Sequence, residues 1–341
     1  MKSASPANNA PTIQQPSGLT TTDFWKGYWL TLRPYLFFVS GTAGLLGLAL
    51  APELNPGAKA IGFLAFFFSY GLGQAVTDTF QTDTDSISSP CRPMVQGTIS
   101  QSQVLVISLV GLFLCTLILA WLNPATIILA ILCILGLVTY TWFKRRWWGG
   151  PFWNSWIVAL LPLIGFLCGV TELNAAFLEN MKLLTAMASV FFGYAVFVLL
   201  GYFKDISADR DTGYFTLPVV AGWKKSVGIS AVLAFATFLP GLVFILLTDV
   251  PHKSGYFFAA YSSGLLIWVI GVVLLGYAHV RMFKLRDENE AYLAIVPTVK
   301  GFILIHLGLT VLLIPVLILP ALLYYALFEI SIAFRPDHRQ I

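Results

Sequence analysis

Residues 102–142 read SQVLVISLVGLFLCTLILAWLNPATIILAILCILGLVTYTW, with no Asp, Glu, Lys or Arg anywhere in the stretch. It divides into two apolar runs, 102–122 and 124–142, separated by little more than Asn123-Pro124. A helix that crosses a bilayer needs about 20 apolar residues, so the stretch predicts a tight hairpin of two membrane-spanning helices. Working outward, runs of comparable length lie at 32–50, 58–80, 152–170, 183–203, 226–247, 256–280 and 299–328. The last is long enough to tilt or to kink at Pro315 and Pro320. The pattern predicts an all-α, polytopic membrane protein of nine helices, with its termini on opposite sides.

Composition agrees. The 341 residues are 57% hydrophobic and 11% charged, against roughly 25% charged in soluble domains, and mean hydropathy is +0.80. Several soluble domains are therefore excluded. A net charge of +4 is too mild to point to nucleic acid. The four cysteines form no CxxC pair, so neither a disulfide framework nor a zinc site is indicated. Residues 1–23 read as a disordered polar tail without the apolar core of a signal peptide. Residues 24–334 read as one transmembrane domain, and 335–341 as a short tail.

Charge falls on one side. The N-terminal segment and the loops after the second, fourth, sixth and eighth runs hold 15 of the 20 Lys and Arg. Basic residues orient loops towards the cytoplasm, which places these loops and the N-terminus there. The same loops collect the acids. Residues 77–85 read TDTFQTDTD, and residues 204–218 read KDISADRDTGYFTLP. These follow the second and sixth runs, which occupy matching positions if runs 1–4 and 5–8 are two copies of one unit.

On a helix turning about 100° per residue, Asp78, Gln81 and Asp85 share a narrow arc with Thr77 at its edge, while Asp83 points away. Asp205 and Asp209, four apart, also share a face. Carboxylates gathered at a membrane boundary repel one another and resist desolvation, unless divalent cations sit between them. Oxygen-only donors favour Mg²⁺, which commonly bridges to substrate phosphates. With Arg92, Arg210 and Lys144 to Arg146 nearby, the pattern describes a diphosphate site.

Three motifs resemble the UbiA superfamily of intramembrane prenyltransferases. The first is Asp85 followed by residues 90–97, PCRPMVQG. The second is residues 204–210, KDISADR, with Gly213 and Thr216 to Pro218. The third runs from Tyr140 through Lys144 to Gly150 and Asn154. Leu32-Arg33-Pro34 also fits. The resemblance, from about residue 24 onward, implies nine helices around a central cavity open to the cytoplasm and laterally to lipid. It implies Mg²⁺-dependent ionisation of an isoprenyl diphosphate and capture of the prenyl group by a lipophilic, commonly aromatic, acceptor. Asp85, Asp205 and Asp209 become catalytic metal ligands, joined by Asp78 and Gln81. Arg92, Lys144, Lys204 and Arg210 become diphosphate contacts, with Tyr140 and Asn154 near substrate. The family's NxxxDxxxD pattern here carries Thr77 and Gln81 at its first two positions, so this half of the site has fewer negative ligands. Outcomes left open are a terpene cyclase and a non-enzymatic binder of prenyl lipids.

Elsewhere, His279 and His306 read as packing residues near span ends. Trp142, Trp147, Trp148, Trp153 and Trp156 read as an interfacial belt, with a cavity-lining role open to them. Phe66 to Phe68 and Tyr70 read as facing lipid or neighbouring helices. Residues 281–297 read as a surface helix.

Overall fold

The computed structural model describes residues 16–52, 54–170, 179–250 and 255–336. The polar tail expected over residues 1–23 lies outside the described residues up to residue 15, as do the last five residues of the C-terminal tail. Fourteen α-helices are present, and among the described residues there is no strand. They are α1 (Thr22–Leu32), α2 (Phe37–Leu50), α3 (Pro56–Asp78), α4 (Thr82–Ser88), α5 (Gln101–Leu122), α6 (Thr126–Lys144), α7 (Gly150–Leu167), α8 (Met181–Gly201), α9 (Ile206–Asp211), α10 (Leu217–Ala221), α11 (Trp223–Leu246), α12 (Gly255–Lys284), α13 (Tyr292–Leu313) and α14 (Ile318–Ala333).

Ten helical segments among the described residues are long and apolar enough to cross a membrane. The tenth comes from the run expected as a single helix over 299–328. Ile314 departs from helical geometry (φ −129°, ψ 80°), and a 3₁₀ turn at Pro315–Leu317 reverses the chain into α14. Hydropathy runs unbroken through this turn, and proline, which cannot continue the hydrogen-bond ladder, makes the break. The expected surface helix over 281–297 is also corrected. Residues up to Lys284 finish α12, Glu288–Glu290 form one 3₁₀ turn, and α13 starts at Tyr292 with Ala294 and Ile295 fully buried.

Outward-facing residues such as Val110, Ile128, Val232, Val273 and Leu323 are large, apolar and exposed, which suits lipid. Inside, helices cross closely where side chains are absent. A Cβ on Gly271 would stand 2.6 Å from the Ile305 backbone nitrogen, and one on Gly308 2.7 Å from that of Trp268. Glycine there lets α12 and α13 pack backbone to backbone, as small residues do in membrane helix pairs. The histidines pack between helices. His279 bonds Ser230 and the Leu275 carbonyl, while His306, well inside α13, bonds Ser189 and the Phe302 carbonyl. Trp142, Trp147 and Trp148 are exposed. Trp153 instead stacks on Phe143 and donates to the Gly136 carbonyl, and Trp156 packs between helices.

Candidate active site

The short helices α4 and α9 sit together at one end of the bundle, joined by a hydrogen bond between the Thr84 and Thr212 hydroxyls (3.1 Å). Each follows a long helix, α4 after α3 and α9 after α8 and a 3₁₀ turn at Tyr202–Lys204. Asp78 ends α3, Gln81 breaks the backbone (φ −126°, ψ 18°), and α4 restarts. After α8, Asp205 takes nearly the same conformation (φ −120°, ψ 14°) before α9. The first acidic segment is therefore not one continuous helix. The face expected from helical geometry nonetheless forms: Thr77, Asp78, Gln81 and Asp85 line one pocket. Asp83 points elsewhere, to Arg145 (2.9 Å) and the Tyr214 hydroxyl (3.1 Å).

The pocket, about 100 Å³, is also lined by Arg33, Gln74, Arg92, Tyr140, Lys144, Asn154, Lys204 and Asp205. Arg33 donates to Asp78 (2.5 Å), and Gln74 donates to the other Asp78 oxygen (2.7 Å). Arg92 pairs directly with Asp85 and lies 3.7 Å from Asp78. Lys144 donates to the Gln81 amide oxygen (2.8 Å), and its ammonium stands 3.6 Å from Asp209. Lys204 lies 3.8 Å from Asp205. Tyr140 shares a hydrogen bond with Tyr202 (2.9 Å). Gly150 makes room for it, since a Cβ there would meet the Tyr202 hydroxyl at 2.0 Å.

Burial and charge compete at each acid. Burial raises the Asp85 carboxyl above its usual range, opposed chiefly by Arg92. Burial likewise pushes Asp209 up to about 6, against the pull of Lys144. At Asp205 burial is the largest single influence, but Lys204, Lys144 and Arg92 together outweigh it and hold the carboxyl below its ordinary value. Asp205 is thus held ionised, where Asp85 and Asp209 are shifted the other way.

Two expected residues are not in the pocket. Asp209 is fully buried behind Lys144, accepting from Thr216 (3.0 Å), and its Oδ1 has no hydrogen-bond partner. It does not share the pocket with Asp205: Lys144 and Thr216 hold it in the protein interior. Arg210 is exposed and does not line the pocket. Tyr70, expected to face lipid or a helix neighbour, lines the pocket with Tyr194 and Tyr202. Arg33 and Gln74 were not singled out as site residues. Their signals were a cation at a span boundary and a lone amide one helical turn before Asp78. Arg33 holds its place in a left-handed conformation (φ 52°, ψ 66°), the one positive φ of a non-glycine among the described residues.

A second cavity of about 90 Å³ adjoins this pocket between α3, α5, α6 and α7, bounded by Leu119, Cys133 and Ile164. The two share Tyr70, Gln74, Thr77, Asn154 and Tyr194. One end is thus charged and the other apolar.

Among the described residues no three His, Cys, Asp or Glu side chains converge on one point. The pocket's acid and amide side chains, Asp78, Gln81, Asp85 and Asp205, offer oxygen donors only. This set fits Mg²⁺, which commonly binds through one or two carboxylates plus substrate phosphates rather than in an all-protein cage. Asp85 and Asp205 are the acids best placed to hold it, facing the pocket from the two motifs.

Residues 37–294 match the UbiA prenyltransferase family. The chain belongs to that family. It is a membrane prenyltransferase. A digeranylgeranylglyceryl phosphate synthase of Natronomonas pharaonis is 29% identical over 77% of this chain and 89% of its own length. That of Thermococcus kodakarensis is 29% identical over 63% of this chain and 78% of its own. Among solved structures, a UbiA homologue of Archaeoglobus fulgidus bound to GPP and Mg²⁺ superposes with a TM-score of 0.61 at 17% identity, covering 90% of this chain and 99% of its own. An apo UbiA homologue of Aeropyrum pernix K1 gives 0.62 at 16%, covering 80% and 96%. At these identities the structures establish the UbiA fold.

Proposed function

We propose that this UbiA-family protein transfers an isoprenyl group from a prenyl diphosphate to a lipophilic acceptor within the membrane, with Mg²⁺ as cofactor. The observation that carries the reading is the junction of a charged pocket with an apolar cavity through Tyr70, Gln74, Thr77, Asn154 and Tyr194. A prenyl diphosphate has the same two ends. Arg33, Arg92, Lys144 and Lys204 supply preorganised positive charge where the diphosphate departs, the arrangement that lowers barriers to charge development. Mg²⁺, when bound by Asp85 and Asp205, adds further charge neutralisation. Tyr70 and Tyr194 line both cavities and Tyr140 the charged one, and aromatic rings there favour an allylic cation. The apolar wall excludes water that would otherwise capture it.

We also infer that the motif end faces the cytoplasm. With ten crossing helices α14 returns the chain to that end, and among the described Lys and Arg only Lys59 and Lys182 lie at the other.

The test is Mg²⁺-dependent diphosphate release by purified protein from donors of several chain lengths. Two acceptor classes enter it: an aromatic ring, expected from sequence, and a glycerophosphate lipid, the class in the relatives' name. Sustained release only with an acceptor, and a prenylated acceptor as product, support the reading. Release from the donor alone with a cyclic hydrocarbon would replace it by a cyclase. No Mg²⁺-dependent release from any donor would favour a binding protein.

A further inference from the structure

The far end of the bundle holds a larger cavity, about 530 Å³, between α2, α3, α13 and α14. It shares no lining residue with the two pockets at the motif end. The packing of α14 explains it. Its polar fastenings to the bundle begin at its middle: Tyr324 donates to the Phe38 carbonyl (2.9 Å), and Glu329, which accepts from Tyr325 (2.5 Å), pairs with Lys300 (2.6 Å). Its first turns touch α13 through Ala321 and Ile318 against Leu307 and Val311, while Leu319 and Leu323 face outward, and a wedge remains between this part of α14 and α2 and α3.

The wedge is walled by apolar side chains, among them Leu45, Phe63, Val311 and Leu317, and among the described residues Lys59 is its one charged lining residue. No hydrogen-bond or ion-pair partner of that ammonium is found among the described residues. Lys59 precedes Asp78 by nineteen positions on α3, roughly 29 Å at 1.5 Å per residue, so it stands at the opposite end from the acidic motifs. An apolar cavity gives water too few polar partners to stay. What fits is an apolar chain with negative charge at one end.

We propose that this wedge binds a chain of an anionic membrane phospholipid, with the headgroup phosphate at Lys59. The site is separate from the prenyl reaction and does not depend on it. One lysine at an anionic lipid surface gives about a fivefold preference over a zwitterionic lipid. Native mass spectrometry of the purified protein, offered equal phosphatidylglycerol and phosphatidylcholine, reads this directly. Wild type should retain one lipid with about fivefold preference for phosphatidylglycerol. Lys59→Gln should retain a lipid without preference, and Ala49→Trp, which places an indole in the wedge, should retain none. Equal phosphatidylglycerol retention by wild type and both variants overturns the proposal, as does displacement of the lipid by a prenyl diphosphate. Melting temperatures report folding. If Ala49→Trp does not fold, Lys59→Glu decides: loss of the phosphatidylglycerol preference supports the site, and an unchanged preference overturns it.

Discussion

The segments following α3 and α8 share a backbone and differ in charge. Gln81 and Asp205 stand at equivalent breaks with nearly the same φ and ψ, and Asp85 and Asp209 follow each by four residues. In the first segment Arg33 and Arg92 hold the acids, and the break residue is a neutral amide bonded by Lys144. In the second the break residue is a carboxylate facing the pocket, and its follower is buried behind Lys144. The same local fold thus serves two electrostatic tasks. The first segment anchors guanidinium groups that can meet phosphate oxygens, and the second presents the negative charge that can meet a cation.

The comparison yields predictions in descending order of effect. Asp205→Asn removes a pocket acid that its cations hold ionised and should cut turnover on the order of 100-fold, with melting temperature little changed. Diphosphate release measured across Mg²⁺ concentrations checks it, and near-normal turnover would break the assignment of negative charge to the second segment. Lys144→Met strands Asp209, fully buried, without its cation. Removing one partner of a buried pair costs about 3 kcal/mol. Denaturant or thermal unfolding should show that loss, and the double variant with Asp209→Asn should recover most of the stability but not the activity. Recovery of both would assign Lys144 to structure alone.

Gln81→Asp makes the first segment resemble the second. It should lower the Mg²⁺ concentration for half-maximal activity by a few-fold, since a carboxylate adds charge where an amide stood. A raised requirement would mean that Lys144 consumes the new carboxylate. Asp83→Asn should matter least. Asp83 and Arg145 form a half-exposed surface pair, worth about 0–1 kcal/mol, and turnover should change less than twofold.

Much of this was legible in the sequence, for identifiable reasons. Apolar length gave the helices, because lipid leaves no alternative to internally bonded backbone. It missed the tenth, since Ile314 and Pro315 break the chain without lowering hydropathy. It misread 281–297, where Glu288 and Glu290 suggest a surface but Ala294 and Ile295 are core. Helical spacing placed Thr77, Asp78, Gln81 and Asp85 together, and they line one pocket despite the break at Gln81. The same rule failed for Asp205 and Asp209, because contacts distant in sequence or outside the helix, with Lys144 and Thr216, hold Asp209 in the interior. Arg33 pairs with Asp78 across 45 positions, and no local pattern reports a contact that distant.

The central claim is that a prenyl diphosphate lies with its head among Arg33, Arg92, Lys144 and Lys204 and its tail in the cavity bounded by Leu119, Cys133 and Ile164. A prenyl diphosphate carrying a terminal diazirine tests this most directly, by photolabelling followed by peptide mapping. The expected result is label on α5, α6 and α7 around those three residues, suppressed by excess unlabelled donor. Donor-protected label on α14 or around Lys59, with none on α5 to α7, would contradict it.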